Sequence, residues 1–189
     1  MSKKTVSIIV NCYNGEKYLQ KTLNSILKQK FKNFEVIFID NCSTDSSPRI
    51  YKKIKDKRFH YFRTKKKISL YASRNLALKK SKGKFIAFLD ADDWWSNDYL
   101  TLRKKFFKSS KMYGFSYSNC FHYFQNLNKY ETFYHQKMPS GYILDNLLKY
   151  YFIKISSVII KKNVLKKYQF NPVYNIIGDY DLILKIAEK

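Results

Sequence analysis

Three continuous apolar runs set the frame of the chain. Val6–Val10, Val36–Ile39 and Phe85–Leu89 are each rich in β-branched or aromatic residues and each stops at a polar cluster. Runs this short, without alternation, read as strands buried on both faces. Between them the apolar period lengthens to that of a helix. Tyr18, Leu19, Thr22, Leu23, Ile26 and Leu27 recur at helical spacing, with Asn14 or Gly15 placed to cap the start. Ser46-Ser47-Pro48 opens a second helix through about Lys55, and Phe59–Phe62 is a shorter strand candidate. Leu70, Ser73, Ala77 and Lys80 share a helical face with Arg74 and Asn75 beside it, and Gly83 supplies a left-handed stop.

This alternation predicts an α/β fold: a mainly parallel central sheet with helices on both faces, Rossmann-like in plan. Ligands of such sheets bind where the carboxyl ends of the strands open into loops. Three polar loops fall there, Asn11–Gly15, Asp40–Asp45 and Asp90–Asp93. After Asp98 the pattern predicts a basic, aromatic helix to about Lys108, a strand over Phe115–Asn119 and a polar, aromatic stretch through His135. A strand over Ser157–Ile160, a helical turn over Asn163–Lys167 and a helix from Asp179 to Glu188 follow. No repeat or low-complexity linker divides the 189 residues, so a single domain, 1–189, is expected.

With 45% hydrophobic and 18% aromatic residues the chain has enough apolar content to fold. Lysine and arginine number 37 against 14 acidic residues, a formal charge of +23 that attracts phosphates of any kind. Runs such as Lys65-Lys66-Lys67 and Lys161-Lys162 are equally the pattern of a solvated face. Cys12, Cys42 and Cys120 are too few and too scattered for a zinc site or a disulfide framework, and imply a reducing compartment. His60, His122 and His135 are isolated from one another. Neither a secretory signal nor a membrane-spanning run is visible. A cytoplasmic location is expected, with peripheral attachment to the inner face of an anionic membrane compatible with the charge.

The sharpest feature is Phe85-Ile86-Ala87-Phe88-Leu89-Asp90-Ala91-Asp92-Asp93, an apolar strand that delivers three carboxylates into four positions at its exposed end. Like charges this close raise one another's pKa unless a cation or hydrogen-bond donors offset them. A divalent ion, Mn or Mg, held by one or two carboxylates and completed by substrate phosphate oxygens, is the economical answer. The plainer alternative is that Asp92 and Asp93 cap a helix running from Trp94 to Lys108. Trp94 and Trp95 fit stacking on sugar or base, or packing at the edge of that helix.

Four motifs in order now carry a resemblance: Val6 to Gly15, Ile39-Asp40-Asn41-Cys42-Ser43-Thr44-Asp45, Ser73-Arg74-Asn75, and Gly83 through Asp93. Together they resemble the family 2 inverting glycosyltransferases of the GT-A fold. The resemblance implies a donor part over residues 1–110 and the start of an acceptor-side part over 111–189. It implies that Asn11 and Tyr13 lie against the nucleotide base, with ordinary loop packing as the alternative for Tyr13. Asp40 would fix base or ribose, or else bond the backbone of its own loop. Asn41 stands where many relatives have a second aspartate, which leaves the nucleotide preference open. Arg74 and Asn75 would lie near the donor, the guanidinium meeting a phosphate or a carboxylate of the acidic loop, unless Arg74 is a surface residue. Asp92 would contact ribose or metal, Asp93 the metal, and Asp90 would stand behind them.

Further on, Gly178-Asp179-Tyr180-Asp181-Leu182 resembles the late acidic motif of the same family, with Asp179 as general base and Gly178 in place of the usual glutamate. Capping of the last helix by Asp179 is compatible with that role. The implied partners are a nucleoside-diphosphate sugar, with a UDP-sugar favoured, and a glycan or lipid-linked acceptor, in the synthesis of surface polysaccharide. Relatives usually continue beyond this motif, so a truncated chain that binds donor without transferring sugar is the alternative. Nucleic-acid binding fits the charge but not the acidic cluster, which repels a phosphate backbone. A dinucleotide-dependent oxidoreductase lacks its glycine-rich turn.

Overall fold

The computed structural model describes residues 5–109 and 113–188, the side chains of Lys105 and Ser109 excepted. The expected division at 110/111 therefore lies outside the described residues. Strands β1 (Val6–Cys12), β2 (Phe34–Asp40), β3 (Phe59–Arg63) and β4 (Phe85–Phe88) run parallel, joined through helices α1 (Glu16–Leu27), α2 (Ser47–Lys52) and α3 (Leu70–Lys80). Helices α4 (Tyr99–Leu102) and α5 (Lys104–Ser109), strand β5 (Phe115–Ser116) and the hairpin β6 (Phe121–Phe124) and β7 (Lys129–Thr132) follow. Helix α6 (Leu144–Lys149), strand β8 (Ile159–Lys161) and helices α7 (Lys162–Lys167) and α8 (Gly178–Ala187) complete the chain. The main sheet has the order β3-β2-β1-β4-β8-β5, with β8 antiparallel to both its neighbours. Strand order reverses between β1 and β4, which opens a crevice at their carboxyl ends.

Helices cover both faces, as the sequence predicts. Val6, Ile8 and Val10 of β1 pack with Leu19, Leu23 and Ile26 of α1 and with Tyr99 and Leu100 of α4. Ile9, Ile37, Ile39, Ile86 and Phe88 face the opposite layer, with Ala77 of α3, Leu147 of α6 and Leu182, Ile183 and Ile186 of α8. Every residue of β2 and β4 is buried, which is why neither strand alternates with polar positions. Each large aliphatic side chain so buried contributes about 1.5–3 kcal/mol.

The structure departs from the sequence reading in several places, among them the strand expected over Ser157–Ile160, which begins only at Ile159 because Ser157 closes a 3-10 turn. Helix α3 stops at Ser81 in extended geometry, and Gly83 is not left-handed; among the described glycines only Gly141 has positive φ. Gly83 is needed instead because its segment crosses β1, where an added Cβ would lie 2.5 Å from Ser7 N. Helix α2 ends at Lys52 rather than near Lys55, closed by short-range bonds from Lys53 N–H to Ile50 and from Ile54 N–H to Tyr51. Strand β5 ends at Ser116, because the carbonyl of Tyr117 accepts from Arg103 Nη1 at 3.0 Å. No helix begins at Trp94: Trp95 N–H donates to Ser25 Oγ and its indole N–H to the Ser156 carbonyl at 2.7 Å, so the first helical residue is Tyr99. Among the described residues no helix is long and apolar enough to cross a membrane.

Candidate functional site

The loops after β1 and β2 are laced together. Ser43 Oγ accepts from Asn14 N–H at 3.1 Å, Ser47 Oγ from Gly15 N–H at 3.0 Å and Asp45 Oδ2 from Glu16 N–H at 2.9 Å. Gly15 is the N-cap of α1, as expected, and its carbonyl accepts from Tyr18 and Leu19 N–H at 3.1 and 3.0 Å; having no side chain to cap with, it leaves the free N–H groups before that turn to the next loop. Asn14 instead takes a left-handed φ of 51° and accepts from Thr44 N–H at 2.8 Å, while Glu16 accepts from Ser46 N–H at 2.7 Å. This exchange holds both loops rigidly at the crevice.

Asn11 and Tyr13 rise from the first loop. Asn11 Nδ2 donates to Ser73 Oγ of α3 at 2.6 Å. Tyr13 is 44% exposed, with Lys67 Nζ 3.7 Å from its ring centroid, so it is a rim residue rather than a packed one. Asp40 is fully buried; its carboxylate accepts from Ser43 N–H at 2.8 Å, from Tyr61 and from Arg63 Nη1 at 2.8 Å. The bond to its own loop, one of the two readings of Asp40, is present. Asn41 is also committed, its amide pairing both ways with the backbone of Ile68 at 2.7 and 3.0 Å. Asn75 makes the same kind of clip with Phe170, at 2.8 and 3.2 Å, so it braces the segment before α8 and keeps one amide N–H beyond these two bonds.

The acidic loop meets the last helix through Arg74. This arginine is no surface residue: its side chain is 1% exposed. Nη2 bonds Asp90 Oδ1 at 2.6 Å and Nη1 bonds Asp179 Oδ1, so one guanidinium joins the end of β4 to the start of α8. Asp179 has its pKa raised, first by burial and further by Asp90, with Arg74 pulling it back down. Gly178 has a steric reason to replace a larger residue. A Cβ there would lie 2.5 Å from the Tyr71 ring, which stacks on Phe170 and donates its hydroxyl to the Ile176 carbonyl at 2.7 Å.

Asp92 and Asp93 are exposed, and among the described residues neither enters an ion pair. They cap no helix, since none starts before Tyr99. Exposed to solvent on one side, the Asp93 carboxyl is crowded by surrounding atoms on the other: desolvation raises its pKa first, Ser156 opposes, and the Asp90 and Asp92 charges add to the rise. Among the described residues no group of three or more histidine, cysteine or acidic side chains is poised to cage a metal. With Asp90 held by Arg74, the donor set is two hard, exposed carboxylates. That set fits a hard divalent cation whose other ligands come from phosphate and water.

Three contributors escaped the sequence reading. Ser156 accepts from Asp90 N–H at 3.1 Å, Tyr71 shapes the turn before Asp179, and Arg63 neutralises Asp40. Only Arg63 left a trace, since parallel pairing of β2 and β3 sets it opposite Asp40. Trp95 is a packing residue, stacked 4.3 Å from Tyr99, whereas Trp94 lies at the rim under Lys21 and against Tyr123 of β6.

Residues 7–169 match the model of glycosyl transferase family 2. The chain belongs to that family. Its crevice, acidic loop and Arg74 bridge are therefore parts of a family 2 fold of the GT-A type. The UDP-Glc:alpha-D-GlcNAc-diphosphoundecaprenol beta-1,3-glucosyltransferase WfaP of Escherichia coli is 35% identical over 184 residues, covering 97% of this chain and 70% of WfaP. S. aureus TarS 1-349 in complex with UDP superposes with a TM-score of 0.72 at 23% identity, covering 97% of this chain and 55% of that one. The mannosyltransferase PcManGT from Pyrobaculum calidifontis, in complex with GDP-Man and Mn2+, gives a TM-score of 0.72 at 18% identity, covering 98% and 52%. At these identities the two structures speak to the fold alone, and the chain spans about half of each.

Proposed function

We propose that this family 2 chain binds a nucleoside-diphosphate sugar in the crevice between β1 and β4 and transfers the sugar, with inversion, to an acceptor hydroxyl presented at Asp179. The observation that carries this reading is the buried guanidinium of Arg74 held between Asp90 and Asp179. It fixes a proton-accepting carboxylate beside the acidic loop on which the donor diphosphate would sit. Asn11 and Tyr13 offer the base an amide and an exposed ring on the rigid first loop. Asp92 and Asp93 would hold a divalent cation, Mn or Mg, which when bound offsets the charge of the departing diphosphate. Asp179 takes the proton of the attacking hydroxyl, and burial tunes it toward that task by raising its pKa. Arg74 limits that rise and holds the carboxylate in place. Displacement is direct, since no covalent nucleophile is needed.

A UDP-sugar and a lipid-linked diphosphate acceptor are the favoured partners. WfaP's name carries both, and TarS was solved with UDP. The Mn2+ in the PcManGT complex with GDP-Man supports a divalent ion here too. In this reading residues 1–110 are the donor part, residues 111–189 begin the acceptor side, and the site works at the cytoplasmic face of the membrane in surface glycan synthesis. The test is calorimetric titration with UDP, with Mn and then with chelator, followed by transfer from UDP-glucose to an undecaprenyl-diphosphate-linked GlcNAc. Asp179→Asn is expected to keep UDP binding and abolish transfer, while Asp92→Ala and Asp93→Ala lose metal-dependent binding with the fold intact. Normal UDP binding by both aspartate-loop variants would sink the assignment.

A further inference from the structure

A second charged site lies at the other end of β4. Lys82, Lys84, Phe85, Lys161, Lys162 and Lys166 line an open recess of about 380 Å³, which is within the size range of small-ligand pockets. Lys84 and Lys162 are brought together by the sheet itself, since Lys162 N–H donates to the Lys84 carbonyl at 2.8 Å where β8 pairs with β4. Lys82 is delivered beside them by the Gly83 crossing over β1. Like charges forced together across a ladder repel one another.

Among the described residues no acidic side chain relieves that repulsion. Among the described residues Lys82, Lys84, Lys161 and Lys166 enter no ion pair, and the Lys162 ammonium donates only to the Ser81 carbonyl. Glu35 accepts from the Lys82 backbone N–H but is 2% exposed and is shared with the Ser7 hydroxyl. Six residue steps of extended chain separate Lys84 from Asp90, roughly 20 Å at about 3.3 Å per residue, so a ligand here does not touch the donor crevice.

We propose that this five-lysine recess is an anion site, separate from the donor site, for a multivalent phosphate group. Two sources share that chemistry: a free diphosphate and the headgroups of an anionic lipid surface. The ammonium groups bind by charge and hydrogen bonding, with no metal, so chelator separates this site from the acidic loop.

The experiment titrates the chain with inorganic pyrophosphate in chelator, and floats it with vesicles of phosphatidylcholine with and without phosphatidylglycerol. Lys82→Gln/Lys84→Gln/Lys166→Gln removes three exposed charges from the recess, and Lys52→Gln/Lys53→Gln/Lys55→Gln removes three exposed charges elsewhere. The recess variant is expected to lose about tenfold or more in affinity, the yield of three contacts at about 0.5 kcal/mol each. The distant variant should bind as the parent does, and both should keep UDP binding with Mn. A selective loss for pyrophosphate assigns a soluble diphosphate, and a selective loss confined to anionic vesicles assigns the lipid headgroup. Equal losses in the two variants, or no binding of either probe by the parent, would overturn the proposal.

Discussion

Replacing Arg74 with methionine keeps an unbranched side chain in the same buried slot but removes the charge shared by Asp90 and Asp179. Removing one partner of a buried ion pair costs about 3–5 kcal/mol, most of it from the charge left behind. Here the side chains of Asp90 and Asp179 are 35% and 21% exposed, so water reaches both. That screening brings the expectation down to about 2–3 kcal/mol. In urea the midpoint should fall by about 1 M, taking a slope of about 2 kcal/mol/M. The pH dependence gives a second, signed reading. The pKa of Asp179 is already raised in the folded chain, and Arg74 is among the influences that lower it. Without Arg74 it rises further. A carboxyl whose folded pKa lies above its unfolded value binds more protons when folded, so stability falls as pH rises between the two values. The variant should therefore regain stability on acidification more steeply than the parent. The variant Arg74→Met/Asp90→Asn/Asp179→Asn should recover at least half the loss, because no charge is then stranded. A midpoint shift below about 0.3 M, or a triple variant no more stable than the single one, would refute this account of the bridge.

Three other outcomes follow from the geometry. Gly178→Ala pushes a methyl into the buried Tyr71 ring, 2.5 Å away; it should cost about 1–3 kcal/mol in urea and lower kcat about 100-fold by displacing Asp179, with UDP affinity retained. Gly83→Ala meets backbone rather than side chain, with Ser7 N at 2.5 Å and Val6 C at 2.7 Å; it should cost about 3 kcal/mol, and a cost below about 1 kcal/mol would mean that the crossing relaxes easily. The raised pKa of Asp93 lets protons compete with a cation at a higher pH than for an ordinary aspartate. UDP affinity measured with Mn should thus weaken on acidification before that carboxylate range is reached, and Asp93→Asn should flatten the profile while lowering affinity throughout.

The parallel half of the sheet was legible because buried strands leave unbroken apolar runs and the helices between them keep a 3.6-residue stripe. The acidic loop was legible for the opposite reason: carboxylates crowded at a strand end have no packing role. Harder to see were residues whose partners lie far along the chain. Asn41 and Asn75 belong to the motifs that carry the resemblance, yet both spend their amides on backbone, at Ile68 and Phe170. Nothing in a local pattern tells a ligand-facing asparagine from a clip. Gly83 is hidden for the same reason: a glycine after a helix suggests a left-handed cap, whereas its cause is the β1 strand at Ser7, 76 positions away. Beyond Asp98 the elements are short and their ends are set by side chains such as Arg103 and Trp95. Periodicity has little to act on there.

Arg74 also explains how three aspartates of one loop can have unequal tasks. All three cannot carry full charge within four positions unless something offsets it. The guanidinium neutralises Asp90 from the protein side, and Ser156 Oγ fixes its backbone N–H. Asp92 and Asp93 stay exposed, and the charges of Asp90 and Asp92 add to the rise in the Asp93 pKa. A cation bound to them would relieve that repulsion, so in the proposed mechanism its affinity draws on strain already present in the loop. Arg74 holds Asp179 with its other nitrogen across a separation of 105 residues. The two charges that would flank the proposed reaction are thereby set by one buried group, and neither carboxylate can shift without changing the electrostatic environment of the other.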